Sequence, residues 1–107
     1  MTRKADLVTF AENFGKGIGH NTRFKMLTML AAGPHTVGEL AERLDITQST
    51  ASQHLLVLKN GQLVNKEKRG QFVYYALDFD YMVNGLKGLT EVLESKAKKG
   101  RTNDNRN

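Results

Sequence analysis

The chain has 107 residues, 39% hydrophobic and 25% charged, with one proline, no cysteine and no tryptophan, a composition expected of a single globular domain. Without cysteine it can form no disulfide, thiolate metal site, thiol switch or cysteine nucleophile. No run of about 18 apolar residues is present, which excludes a helical membrane span, and Met1–Phe10 lacks the apolar stretch of a signal peptide, so a cytoplasmic protein is expected.

The net charge of +5 is unevenly placed. Residues 1–96 hold 12 Lys and Arg against 10 Asp and Glu, whereas 97–107 carry four basic residues against Asp104 alone. Residues 97–107 contain nothing apolar beyond Ala97 and read as a disordered basic tail behind one domain, 1–96.

A first helix is predicted from Thr2 to Phe14, with Leu7, Phe10, Ala11 and Phe14 on one face. It should stop in Gly15–Gly19, where three glycines in five residues oppose helix and suggest a flexible turn. That stretch lacks the strand and the Lys-Ser/Thr or Rossmann context of a phosphate-binding loop. A second helix opens at Asn21 or Thr22, turns Phe24, Leu27, Leu30 and Ala31 inward, and ends at Gly33–Pro34.

Thr36 caps a third helix, with Glu39 placed for a capping box and an apolar stripe of Val37, Leu40, Ala41 and Leu44. After a break at Asp45 and Ile46, Thr47 caps a fourth helix, Gln48–Asn60, closed by Gly61. Two short helices so closely joined must cross steeply, which is the shape of a helix-turn-helix. Leu63–Leu77 reads as a β-hairpin, strand-like over Phe72–Leu77 and with a basic tip over Lys66–Gly70. A last helix over Phe79–Lys96 lines up Phe79, Met82, Val83, Leu86, Leu89 and Leu93. The predicted architecture is mainly helical with a small hairpin, in the order of four helices, two strands and a fifth helix.

At 100° per residue, Ala51, Leu55 and Leu58 form the buried stripe of the fourth helix. Ser49, Ser52, Gln53 and Asn60, with Leu56 among them, occupy the other side, and Gln48 and Thr50 flank the N-terminal end. Small hydroxyls and amides without carboxylates can approach phosphates and hydrogen-bond base edges, and a Gln amide can pair with adenine through two bonds. The candidate DNA-binding residues on and beside this helix are Thr47, Gln48, Ser49, Thr50, Ser52, Gln53, His54 and Lys59. The hairpin adds Lys66, Lys68 and Arg69, opposed only by Glu67, to flank the major groove or enter a narrow minor groove.

The runs Asn21–Leu27, Val37–Leu44 and Thr47–Leu55, then Leu58, Gly61, Leu63, Val64 and Gly70–Tyr75, resemble the winged helix-turn-helix repressors of the ArsR/SmtB family across about residues 5–95. One departure is Asn21, where the family usually has proline. The resemblance implies a homodimer built on the first and last helices, with double-stranded DNA as partner and the two fourth helices in successive major grooves. The interface candidates are Leu7, Phe10, Phe14, Phe79, Met82, Val83, Leu86, Leu89 and Leu93. The apolar faces of the two terminal helices exceed what the protomer can cover, which also calls for a second subunit.

The family's best-known metal box places cysteines where this chain has Val37–Leu40. Its second site uses histidines in the last helix, where this chain has Asp78, Asp80, Thr90, Glu91 and Glu94 and no histidine. Asp80 and Glu91 are oxygen donors that suit a hard cation, but paired carboxylates on a surface helix are ordinarily solvated, and no metal or other cofactor is expected. His20, His35 and His54 fall in separate elements without ligand spacing: His20 and His35 read as exposed loop residues, and His54 as packed at the helix edge or bonded to a phosphate. Either no sensor is present, or a small-molecule effector occupies an apolar dimer pocket near Phe10, Phe14 and the last helix.

A competing function is a winged-helix protein-interaction module without sequence-specific DNA binding. An enzyme is not expected, since Ser49 and His54 project about 140° apart on their helix and no paired carboxylates mark a cleft.

Overall fold

The computed structural model describes residues 4–103, so the expected helix start at Thr2 and the tail residues 104–107 lie outside the described part. Five helices and three short strands follow in chain order: α1 Lys4–Ile18, α2 Asn21–Ala32, β1 His35–Thr36, α3 Val37–Leu44, α4 Gln48–Asn60, β2 Val64–Arg69, β3 Phe72–Leu77 and α5 Phe79–Asn103.

Helix α1 does not stop at Phe14. It runs through Gly15 and Gly17 to Ile18, against the expectation of a flexible turn. Gly17 is buried, and a Cβ added there would lie 2.8 Å from Leu63 Cδ1 and 3.0 Å from Leu27 Cδ1. Close approach to the core therefore outweighs a helix-propensity cost of about 1 kcal/mol per glycine. The break comes at Gly19–His20, where His20 is extended and its Nδ1 accepts from Thr22 N at 3.2 Å, capping α2.

In α2 the inward positions are Met26, Leu27 and Leu30. Phe24 is 48% exposed and Ala31 is exposed, so the buried stripe is rotated from the expected one. The rotation places Arg23 toward α1 and α4, where its guanidinium is engaged.

The capping box of α3 forms as expected: Thr36 N donates to Glu39 Oε1 at 2.8 Å and Glu39 N to Thr36 Oγ1 at 3.1 Å. The bond donated by the Thr36 backbone N–H holds the Glu39 carboxyl below the ordinary carboxylate pKa. Asp45 closes α3 in the left-handed conformation, which a short polar side chain tolerates. Thr47 Oγ1 then accepts from Thr50 N at 3.0 Å and starts α4.

The sheet has three strands rather than the two of a hairpin, in the order β1-β3-β2 and antiparallel throughout. His35 pairs with Tyr75 and Thr36 with Tyr74, so the residues leading into α3 use the free edge of β3. Lys66 and Lys68 lie within β2, opposite Tyr75 and Val73, and the turn is Gly70–Gln71 with Gly70 at φ 62°. The expected tip over Lys66–Gly70 is thus mostly strand.

The core gathers Phe10, Met26, Leu30, Leu40, Leu55, Leu58, Leu63 and Val64, each under 2% exposed or close to it. Helix α5 lies on α1 through glycines: a Cβ at Gly85 would strike the Phe10 ring and one at Gly88 would strike Leu7 Cδ2. Phe10 stacks on Phe14 at 5.5 Å and meets Tyr81 edge-on at 5.3 Å, and Asn13 Nδ2 donates to the Tyr81 hydroxyl at 3.1 Å.

Helix α5 continues past Lys96 to Asn103, so Ala97–Asn103 is helix where a disordered tail was expected. Alanine and lysine are good helix formers, and lysines suit the negative end of the helix dipole.

Two alanine substitutions separate propensity from packing. Gly15 has nothing within 4 Å of an added Cβ, so Gly15→Ala should raise stability by about 0.5–1 kcal/mol. Gly85→Ala should lower it by about 1–3 kcal/mol despite the same gain in propensity. Urea denaturation followed by circular dichroism measures both, and equal signs would refute the close-approach account.

Candidate nucleic-acid interface

The orientation of α4 follows from three residues. Ala51, Leu55 and Leu58 are fully buried against the other helices and β2. This leaves Ser49, Ser52, Gln53, Leu56, Lys59 and Asn60 in water along the length of the helix, with Thr47, Gln48 and Thr50 exposed at its N-terminal end. No carboxylate lies anywhere on α4. The Thr47 hydroxyl donates to Thr50 Oγ1 at 2.9 Å, and the Gln48 amide sits over Gly38 of α3, so the first turn is braced by the preceding helix.

His54 differs from its neighbours. It lies at the flank of α4, half-buried, with Nδ1 3.3 Å from Arg23 Nη1, while Arg23 Nε donates to Lys16 O at 2.8 Å. Arg23 can only donate, so His54 Nδ1 is the acceptor and its proton is on Nε2. The His20 ring stands 4.5 Å from that of His54. Two histidines that sequence spacing assigns to unrelated places are therefore neighbours, and Arg23 ties α1, α2 and α4 together beside them. Burial pushes the His54 pKa below its ordinary value of 6.5, and nearby His20 and Arg23 push it the same way. His35 is separate, its Nδ1 2.7 Å from Gly33 O.

In the wing, Arg69 is held by Glu67 through two contacts, Nε to Oε2 at 3.2 Å and Nη2 to Oε1 at 3.3 Å, and its guanidinium lies 5.2 Å over the Tyr74 ring. Lys66 and Lys68 are exposed on the alternate positions of β2. Lys66 joins Lys59, Gln62, Asn65 and Asp78 around a shallow polar cleft of about 290 Å³ where α4, β2 and the start of α5 meet.

Of the interface candidates, Leu7 and Phe10 are already buried within the protomer under Gly88 and Gly85, which corrects their placement on an uncovered face. Phe14, Met82 and Leu89 are half-buried against the core, whereas Phe79, Val83, Leu86 and Leu93 stand exposed on α5 with Val8 of α1. Asp80 and Glu91 are eleven positions apart on α5, about 16 Å along its axis, too far to share an ion. Among the described residues no three His, Asp or Glu side chains converge as metal ligands, and no helix is long and apolar enough to cross a membrane.

Comparison with known proteins adds a second line of observation. The sequence profile of the bacterial regulatory proteins of the arsR family matches residues 20–66, the segment from the start of α2 into β2. The transcriptional repressor SdpR of Bacillus subtilis is 38% identical over 66 residues, which span 62% of this chain and 73% of that protein. This chain belongs to the arsR family. The arsenical resistance operon repressor of Bacillus subtilis is 34% identical over 84 residues, covering 78% of this chain and 79% of the relative. The solution structure of a homodimeric winged helix-turn-helix DNA-binding domain from Mycobacterium bovis, from a possible ArsR-family regulator, superposes with a TM-score of 0.67 at 28% identity. It covers 92% of this chain and 91% of that one.

Within this ArsR-family fold, α3 and α4 form the helix-turn-helix, and β2 and β3 form the wing. Arg23 and His20 were missed as neighbours of α4; the only sequence signal was the place of Arg23 in the Asn21–Leu27 run.

Because the native fold disfavours protonated His54, the unfolded chain binds more protons around and below pH 6.5, and the His54 contribution to stability is present above that pH and lost as pH falls through the folded pKa. The thermal midpoint should drop between pH 7.5 and pH 5.5, and His54→Gln, which keeps an acceptor for Arg23, should drop less. Identical pH slopes for the two proteins would count against this linkage.

Proposed function

We propose that the chain is a sequence-specific DNA-binding transcriptional repressor of the ArsR type that acts as a homodimer on an inverted-repeat operator. The observation that carries this reading is the exposed face of α4, free of carboxylates and lined by Gln48, Ser49, Thr50, Ser52 and Gln53, held outward by the burial of Ala51, Leu55 and Leu58. Gln53 is the candidate for a two-bond contact to adenine, and Ser49, Ser52, Thr47 and Thr50 for phosphate or base contacts. Lys59, Lys66 and Lys68 supply positive charge beside that face, and Arg69 reaches a phosphate only by exchanging its bond to Glu67. His54 serves the seat of α4 rather than a free phosphate contact, since its Nδ1 faces Arg23.

The second subunit follows from α5. Phe79, Val83, Leu86 and Leu93 form an uncovered apolar face, and a copy of the same helix is the self-complementary cover that twofold symmetry provides. The homodimeric relative from Mycobacterium bovis supports that assignment. A twofold dimer places the two α4 helices about 34 Å apart, one turn of DNA. Bound there, the dimer blocks transcription by occupancy.

Selection from random duplex DNA should return a palindromic motif, and binding to it should weaken steeply with added salt. Gln53→Ala should lower affinity for that motif by about 1–3 kcal/mol while leaving affinity for random DNA nearly unchanged. Equal losses on both would remove the base-reading role, and a selection that returns no motif would favour the protein-interaction module. Leu86→Glu should convert the dimer to monomer in sedimentation and abolish tight operator binding; a dimer that survives it would place the interface elsewhere.

A further inference from the structure

Leu56 is 57% exposed on the face of α4 that points away from the core. Its neighbours one turn before are Ser52 and Gln53, and those one turn after are Lys59 and Asn60; all four are polar and exposed. A leucine enclosed in this way is not part of a contiguous apolar patch on its helix, as a protein-docking surface would require. It is also not a helix-face residue chosen for water, where lysine or glutamate would serve without exposing hydrocarbon. What it fits is a single small apolar group set among hydrogen-bonding groups.

Building on the DNA-binding reading above, we propose that Leu56 is a specificity-determining residue that packs on the C5-methyl group of a thymine in each operator half-site. In the major groove the only apolar group that a base edge presents is that methyl, bordered by hydrogen-bond donors and acceptors that Ser52, Gln53 and Asn60 can meet. Leu56 lies three residues beyond Gln53 and four beyond Ser52, axial steps of about 4.5 and 6 Å. Base pairs stack about 3.4 Å apart, so the thymine lies one or two base pairs from the base that Gln53 reads. Leu56 thereby discriminates thymine from cytosine at a position where the amides and hydroxyls of α4 discriminate poorly.

The test uses the full chain and the duplex it selects from random DNA, with each thymine replaced in turn by uracil, which removes the methyl and leaves base pairing unchanged. At one position of either half-site, a single replacement should weaken wild-type binding about fourfold, the effect of one buried methyl. Leu56→Ala, which removes the contact from both subunits, should bind the thymine duplex about sixteenfold more weakly and no longer distinguish uracil from thymine, and Leu56→Met, which keeps an apolar tip, should retain part of the distinction. Since Leu56 makes little contact with the core, circular dichroism of both variants should match the wild type. Selective binding with no uracil-sensitive position, or a Leu56→Ala protein that remains sensitive, overturns the assignment and leaves the regulatory reading standing. Absence of selective binding to any duplex overturns both.

Discussion

The burial of Ala51, Leu55 and Leu58 is the constraint on which the rest of the molecule turns. These three side chains fix the rotation of α4 about its axis, and a change of one residue in their register would carry Ser52, Leu56 and Lys59 inward and bring Ala51 and Leu55 to the surface. The cavity that receives them is shaped from below by α1, which approaches closely only because Gly17 has no side chain to meet Leu58, Leu27 and Leu63. On the flank, Arg23 bridges the Lys16 carbonyl and His54, so the end of α1 and the middle of α4 are held by one guanidinium. Packing sets the angle of the helix and a polar clasp sets its lateral position.

The same device recurs at the opposite end of α1. Phe10 and Leu7 fill the places where Gly85 and Gly88 of α5 lack side chains, and Phe10 makes its ring contacts with Phe14 and Tyr81 there. Helix α1 is thus pressed between the helix that carries the polar face and the helix that carries the uncovered apolar face. The surfaces proposed for DNA and for the second subunit are linked by a short rigid path of close contacts, with glycine at both junctions.

Helix caps are legible in the sequence, and contacts between distant segments are not. Thr36, Glu39, Thr47 and Gly61 delimit α3 and α4 because capping is decided within four residues, and the stripe on α4 follows from helical period alone. Gly15–Gly19 misled because the compensation for Gly17 comes from Leu27, Leu58 and Leu63, far along the chain. Strand β1 is two residues long and exists only because β3 offers an edge. The proximity of His20 to His54 depends on how α2 crosses α4, which no spacing encodes. In α5 the apolar residues were visible, but their division between protomer core and open face is set by Gly85 and Gly88, which carry no hydrophobic signal.

The pairing of Glu67 with Arg69 gives the wing a directional field. On one side of β2 a carboxylate and a guanidinium cancel at close range above Tyr74, so that side is nearly neutral at a distance. On the other side Lys66 and Lys68 add without opposition from Glu67. The strand is therefore polarised across its width, and a polyanion approaching it is turned toward the lysine edge before any contact forms. Orientation during encounter is in this sense written into the alternation of the four charged residues that end β2.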